Sequence, residues 1–352
     1  MKFPTRRRLL AAGASLLSLG AVLRAGSTPL LAAEADKPDL EAARKEGSLL
    51  LLHGDQEPDV VKFLQVFTEK TGVPARQQRL LPGTALPKLE AEIKAGRSDT
   101  DVYWCSDIGL LEDMRNKGQL LRYESPEIAG YGKGFHSEPA GFWTAYVQIT
   151  QPIMFSAKYV KPEEGPKTWM DLLNPKWKGQ IGFQNSAAGS QYTWWYILKD
   201  ILPADYWDRL LAQQPRIFAS STQIMTEIQN GNLLIGGKVS DFQYVKAKND
   251  GSPVEIVYPP EGTPTLIQGI SIIAGTKRPN AAKAFVDFVL SKEGQTQWNT
   301  IQGSASPRSD VTVEGIPQIK SAKLIPVGDM ADYQSREQHA KFVALWNKMS
   351  GF

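Results

Sequence analysis

The residues of this 352-residue chain that are best suited to chemistry lie between Lys176 and Tyr196. The apolar run Ile181 to Phe183 predicts a buried strand, the small polar residues Gln184 to Gln191 predict a loop, and the apolar run Tyr192 to Ile201 predicts a helix. A helix that begins after such a loop presents free backbone N–H groups, which bind an anion without needing a positive side chain. The stretch therefore predicts an anion-binding loop.

Side chains within this loop add hydrogen-bonding groups. The candidate ligand-binding residues are Ser186, Gly189, Ser190 and Gln191. Helix capping is the alternative use of these residue types, in which Asn185, Ser186 or Ser190 accepts hydrogen bonds from the first helical turn. The loop alone leaves both interpretations open, and the rest of the chain favours ligand binding.

Two further polar loops follow predicted strands in the first part of the chain. Ser48 to Leu52 predicts a strand that ends at His53 to Gln56, and Asp101 to Trp104 predicts a strand that ends at Cys105 to Asp107. A helical pattern follows each loop, as in an α/β fold, and open α/β sheets bind ligands at the carboxyl ends of their strands. The candidate ligand-binding residues of these two loops are His53, Gly54, Asp55, Ser106 and Asp107.

Composition and charge narrow the classes of function. With 22% charged and 42% hydrophobic residues, the chain has the balance of a soluble globular protein and is long enough for two domains. The formal net charge of +3 includes a strongly basic N-terminus, so we expect no nucleic-acid partner. The single cysteine, Cys105, excludes an intrachain disulfide. The three histidines show no zinc-binding spacing, and we predict neither a bound metal nor a cofactor.

Residues 1–35 are predicted to be an export signal. Thr5 to Leu10 has the twin-arginine form, the apolar run Leu9 to Leu23 follows, and Leu31-Ala32-Ala33 resembles a cleavage site. A general secretory signal is the alternative and leads to the same compartment, whereas a membrane anchor would need a longer apolar run than one broken by Arg24. We therefore expect a periplasmic protein.

The mature chain predicts an α/β fold in two lobes. Extended runs near 141–156 and 266–274 predict that the chain leaves the first lobe and later returns to it. The predicted boundaries are 36–148 plus 267–310 for lobe 1, 149–266 for lobe 2, and 311–352 for a C-terminal helical segment that packs on the lobes.

Five groups of residues, in this order and at these spacings, carry a family resemblance over the mature chain. These motifs are Glu92 to Arg97 followed by Asp101 to Trp104, Pro175 to Phe183, Glu227 to Gly231, Ala281 to Phe288, and Ser291 to Gln295. Together they resemble the periplasmic solute-binding proteins of ABC importers, in the ferric-iron-binding branch of the two-lobed class.

The resemblance implies a specific architecture and mechanism. Two lobes, each a mixed sheet flanked by helices, are joined by extended hinge crossovers, and the ligand lies in the cleft between them. The lobes close on the ligand, and an inner-membrane ABC permease receives it from the closed form, which we expect to be a monomer. The resemblance also places Ser220 to Thr222 and Lys238 to Tyr244 in the cleft. The candidate ligand-binding residues added in this way are Ser221, Asp241 and Tyr244.

The chain departs from the iron-binding members where they hold the metal. Those members resemble one another in two adjacent tyrosines, and this chain has Ser240 to Tyr244 at the corresponding place. Because ferric iron needs several anionic oxygens, we predict instead a small carboxylate, phosphonate or phosphate ester, which Lys238 helps to neutralise. Ferric iron with a synergistic anion is the alternative ligand.

Two other classes of function remain as alternatives. A hydrolase would need a nucleophile elbow, and Gly189 to Tyr192 lacks its second glycine, so we predict that the protein is not an enzyme. A sensor that presents its ligand to a membrane receptor would use the same fold, and the sequence does not separate it from a transport protein.

Overall fold

The computed structural model describes residues 37–80, 82–186, 189–315 and 322–351. All of them belong to one of the two compact units of the chain, Ala35–Phe352. The predicted signal peptide lies outside the described residues.

The described residues form two mixed sheets, as the sequence predicts. The first has seven strands: β1 (Leu49–His53), β2 (Ala75–Arg79), β3 (Val102–Cys105), β4 (Leu120–Leu121), β5 (Thr144–Thr150), β11 (Thr263–Ile273) and β12 (Leu324–Ile325). The second has five strands: β6 (Ile153–Ser156), β7 (Ile181–Gln184), β8 (Arg216–Phe218), β9 (Ile235–Gly236) and β10 (Val254–Val257). The strand orders are β12-β11-β3-β1-β2, with β4 and β5 also pairing β11, and β10-β6-β9-β7-β8.

Helices flank both sheets. The α-helices are α1 (Leu40–Lys45), α2 (Glu57–Thr71), α3 (Pro82–Lys94), α4 (Ile108–Asn116), α5 (Gly189–Leu198), α6 (Tyr206–Ala212), α7 (Ser221–Gln229), α8 (Asp241–Asn249), α9 (Pro279–Leu290), α10 (Lys292–Gln302), α11 (Met330–Tyr333) and α12 (Arg336–Ser350). Short 3₁₀ helices span Pro126–Gly130, Met170–Leu173 and Pro175–Trp177.

Each sheet has its own aromatic core. In the first lobe Trp104 stacks on Tyr146 with 4.3 Å between ring centroids, and Trp298 packs edge-on against Trp104 at 4.8 Å. In the second lobe Trp194 packs against Phe183, and α12 adds Phe342, Trp346 and Met349 to the same cluster. The C-terminal helix is therefore part of the second lobe's core, because its apolar face has no other surface to bury.

The chain passes between the sheets twice. It leaves the first sheet after β5 and enters the second at β6, and it returns between β10 and β11. The two crossing strands β5 and β11 pair antiparallel along most of their length. The exchange of sheets falls between Thr150 and Ile153 and between Val257 and Thr263, close to the predicted lobe boundaries, which themselves stay a prediction.

Candidate ligand-binding site

The predicted anion-binding loop joins β7 to α5. Gln191, in the first turn of α5, is fully buried, and its side-chain Oε1 accepts a hydrogen bond from the backbone N–H of Gln184 at 3.1 Å. The Gln191 Nε2 has no hydrogen-bond partner within the described part of the chain. Ser186 lies half-buried in the turn before the helix, and Gly189 is the first helical residue. The hydrogen bond thus fixes the first turn of α5 to the end of β7, and the Gln191 Nε2 group remains as an unused hydrogen-bond donor among the described residues.

Lys238 lies beneath this loop and is 1% exposed. Its Nζ donates to Ser190 Oγ at 2.7 Å and to Gln184 Oε1 at 2.8 Å. Burial lowers the pKa of Lys238 to about 7, and no carboxylate of the described residues compensates for that loss of solvation. Lys238, which the sequence analysis predicts to help neutralise the ligand, is therefore the buried cationic group next to the loop.

Capping, the alternative role for the loop hydroxyls, does not describe Ser190. Its Oγ accepts from Lys238 and donates to Gln184 Oε1 at 3.3 Å, rather than accepting from the first turn of α5. The hydroxyl thus faces the lysine.

At the end of β1 the candidate residues have separate partners. Tyr146 on β5 donates from its hydroxyl to Asp55 Oδ2, and the same hydroxyl lies 2.6 Å from Gln268 Oε1 on β11. Burial raises the pKa of Asp55 to about 6 in spite of that hydrogen bond. Gly54 connects this loop to His53, whose Nε2 lies 2.9 Å from Gln77 Oε1 and whose buried Nδ1 is unpaired among the described residues. Burial lowers the His53 pKa, so the ring is neutral at pH 7.

Ser106 and Asp107 lie at the end of β3, beside the end of β1. Asp107 caps α4, accepting a hydrogen bond from the Leu110 N–H at 3.1 Å. Both residues are exposed and line a cavity of about 390 Å³ that Thr193 on α5 and Tyr333 on α11 also line. This cavity brings the strand-end loop of the first lobe to a helix of the second.

The remaining candidates in the second lobe have structural partners. Asp241 is buried, and its carboxylate accepts from Thr150 Oγ1 at 2.7 Å, from the Thr150 N–H at 3.1 Å and from the Phe242 N–H at 2.9 Å. Burial raises its pKa to about 6. Tyr244 packs on an apolar cluster of the second lobe, and Ser221 is the first residue of α7, which Ser220 caps. These contacts give Asp241 and Tyr244 roles in the hinge and the core.

The structure also brings in residues that the sequence did not single out. Thr193 and Tyr333 line the cavity, and their hydroxyl oxygens are 2.8 Å apart. Gln151, in the crossover after β5, is fully buried, and its side-chain oxygen and nitrogen are unpaired among the described residues. Buried polar atoms are usually hydrogen-bonded, so Gln151 is a position that only coordinates single out.

Two α/β lobes joined by paired crossover strands, with polar strand-end loops from both lobes, define a two-lobed binding protein. The sequence pattern of the bacterial extracellular solute-binding protein family matches residues 62–327. The chain belongs to that family.

Individual relatives are more distant. An uncharacterized protein of Haemophilus influenzae is 32% identical over 300 residues, which cover 80% of this chain and 84% of that protein. Iron-bound HitA from Pseudomonas aeruginosa superposes with a TM-score of 0.71 at 19% identity, covering 86% of this chain and 99% of HitA. AfuA from Actinobacillus pleuropneumoniae, with exogenous fructose-6-phosphate bound, has a TM-score of 0.69 at 23% identity over 87% of this chain and 99% of AfuA. At these identities the two solved structures show the shared fold alone.

Two features are absent from the described residues, namely a membrane-spanning helix and a metal-binding cluster. None of their helices is long and apolar enough to cross a membrane. Among the same residues, no group of three or more His, Cys, Asp or Glu side chains is placed so that it could hold a metal ion.

Proposed function

We propose that this protein is the periplasmic substrate-binding component of an ABC importer and that it captures a small anion between its lobes. The anion is a carboxylate, phosphonate or phosphate ester that binds at the N-terminus of α5. The loaded protein delivers its ligand to an inner-membrane permease and does not turn the ligand over.

The buried Lys238 carries this proposal. An ammonium group out of water is strongly unfavourable unless a counter-charge accompanies it. Lys238 is held by two neutral oxygens, of Gln184 and Ser190, at the end of a helix whose N–H groups and dipole also favour negative charge. A bound anion would complete this arrangement by supplying the missing counter-charge.

The structural neighbours support a phosphate ester among the three anions. AfuA was solved with exogenous fructose-6-phosphate, a sugar that carries a phosphate ester. The described side chains offer less for ferric iron, which the HitA structure contains. Both carboxylate oxygens of Asp241 accept hydrogen bonds from Thr150 and Phe242, and Tyr244 packs on the core. These two residues therefore do not fit a ferric site.

The crossovers support hinge closure. Asp241 begins α8 in the second lobe. Its carboxylate accepts hydrogen bonds from the backbone N–H and from the side-chain hydroxyl of Thr150, the last residue of β5. This contact ties the lobe to the strand that leads out of the other sheet. Closure would then rotate the lobes about the short links after β5 and before β11, with 36–148 plus 267–310 and 149–266 as the moving bodies and α12 moving with the second.

Native mass spectrometry of the protein purified from the periplasm tests the proposal directly. We expect a metal-free mass increment that denaturation releases as an organic anion, and a rise in melting temperature when that anion is added back. A mass increment of ferric iron would contradict the proposal, as would secretion of the protein to any other compartment.

The affinity for a phosphate ester should fall as the pH rises above about 7. Below that pH Lys238 is protonated in the free protein, and binding requires no proton. Above it, the free protein must take up a proton to bind, so Kd rises toward tenfold per pH unit. Titration calorimetry between about pH 7 and about pH 9 measures this, because the ester itself is fully ionised there. A constant affinity across that range would contradict the role of Lys238.

A further inference from the structure

A C-terminal segment reaches the binding site from far along the chain. We call Asp329 to His339 the C-terminal strap. Tyr192 donates from its hydroxyl to the Tyr333 backbone carbonyl, and Tyr196 donates to Asp332 Oδ2 at 2.8 Å and to the Asp329 carbonyl at 3.1 Å. The His339 ring stacks on Tyr192 with 3.8 Å between centroids. The strap is thus fixed to α5, the helix that begins at the anion-binding loop.

The other side of the strap faces the first lobe. The Gln334 side chain of the strap lies against Gly109, in the first turn of α4, where a Cβ placed on the glycine would lie 1.7 Å from Gln334 Nε2. Asp107, which caps α4, faces Tyr333 and contributes with burial to raising the pKa of that tyrosine. The strap therefore lies between α5 of one lobe and the strand-end loop of the other.

The cavity enclosed in this way has a definite chemistry. Ser106, Asp107, Thr193, Tyr333 and Trp143 line it, together with one lysine and two glutamates. Asp107 uses Oδ1 to cap α4, and its Oδ2 makes no hydrogen bond within the described part of the chain. A carboxylate oxygen beside three hydroxyl groups and an apolar ring suits a ligand that carries hydroxyl groups on a carbon skeleton.

The cavity and the anion-binding loop are neighbours. Ser190 and Thr193 are three residues apart on α5 and share one face of it, with roughly 5–6 Å between their Cβ atoms. On the first lobe, the loops that hold Asp55 and Asp107 follow the paired strands β1 and β3. One turn of α5 therefore separates the two positions.

We propose that Tyr333 is a specificity-determining residue, whose hydroxyl, with Thr193 and Asp107, binds the hydroxyl-bearing part of an anionic ligand. This inference rests on the proposed function, since the anion site at Lys238 and Ser190 anchors the other end of the ligand. Tyr333 selects hydroxylated anions over small anions that fill only the anion-binding loop.

The test compares two probes on two matched variants. Tyr333→Phe keeps the ring and the backbone carbonyl that Tyr192 uses, and removes only the hydroxyl in the cavity. Tyr196→Phe removes the hydroxyl that anchors the strap outside the cavity. Calorimetric Kd values are measured for inorganic phosphate and for fructose-6-phosphate on wild type and both variants. We expect Tyr333→Phe to weaken the sugar phosphate roughly tenfold and to leave inorganic phosphate unchanged.

Each outcome decides the matter. If Tyr333→Phe binds both probes as the wild type does, or if Tyr196→Phe weakens the sugar phosphate as much as Tyr333→Phe, the direct role of Tyr333 is wrong. If inorganic phosphate and fructose-6-phosphate both fail to bind the wild type, this inference is wrong, whereas the proposed function falls only if native mass spectrometry also finds no metal-free organic anion on the periplasmic protein. Selective loss of the sugar phosphate in Tyr333→Phe alone supports the inference.

Discussion

Replacing Lys238 with methionine should remove anion binding and at the same time stabilise the ligand-free protein. Methionine fills nearly the same space, so the change deletes the charge and little packing. The anion loses its counter-charge and a charge-assisted hydrogen bond, and we expect Kd to rise at least roughly hundredfold. The free protein no longer buries an unpaired ammonium group, so its free energy of unfolding rises on the order of a few kcal/mol at pH 7.

The pH dependence of stability separates this effect from a general repacking. The folded pKa of Lys238, about 7, lies below its ordinary value of 10.5. Between these values the unfolded chain holds a proton that the folded chain lacks, so wild-type stability rises with pH across that window, and at lower pH the full penalty remains. Lys238→Met should lack this contribution to the slope. Lys178→Met, at an exposed lysine of the same lobe, is the control and should change neither affinity nor slope. Equal stability of Lys238→Met and wild type at pH 7 would show that the ammonium is solvated.

The anion-binding loop could be predicted from sequence because its parts are local. A strand, a small polar loop and a helix follow one another within about twenty residues, and each has a composition that favours it. Lys238 follows β9, which pairs parallel with β7, so it lies at the same end of these two strands as Ser190. Local pattern and sheet topology together therefore sufficed to bring these two residues close to each other.

Other parts of the site and fold depend on contacts that no local pattern carries. Tyr333 meets Thr193 across 140 residues of sequence, and the position of the strap is decided by three tyrosine hydrogen bonds and a ring stack. The orientation of Asp241 toward Thr150 depends on how α8 docks against β5. The strand β2 was missed because its residues, Ala75 to Arg79, are mostly polar and pair only with β1 at the sheet edge.

These long-range contacts converge on one residue of the anion-binding loop. The side-chain Oε1 of Gln184 accepts a hydrogen bond from Lys238 Nζ, and its backbone N–H donates to Gln191 Oε1. Its backbone carbonyl accepts a hydrogen bond from Trp346 Nε1 at 2.8 Å. The C-terminal helix α12 therefore holds the strand end from which the anion site is built. Substitutions that displace α12 should therefore lower the affinity for the ligand, although no side chain of α12 is proposed to contact it.

Replacing Trp346 with alanine should strongly destabilise the second lobe. The indole is fully buried, packs against Phe342 with 4.6 Å between centroids, and lies edge-on to Trp194 and Phe183. Removing a buried tryptophan leaves a cavity and costs about 3–5 kcal/mol of unfolding free energy, which urea denaturation followed by circular dichroism measures. A cost below about 1 kcal/mol would mean that α12 is not docked as described.

A second pair of variants isolates the hydrogen bond from the packing. Trp346→Phe retains an aromatic ring but removes the donor to the Gln184 carbonyl, whereas Trp298→Phe makes the same change in the first lobe, where the indole N–H has no partner among the described residues. Both should lose similar stability through packing. Only Trp346→Phe should weaken anion binding, by roughly three- to tenfold, because the freed carbonyl lets the strand end shift away from Lys238. Equal affinities of the two variants for the anion would mean that α12 stabilises the fold only. The geometry of the anion site would then depend on β7 and α5 alone.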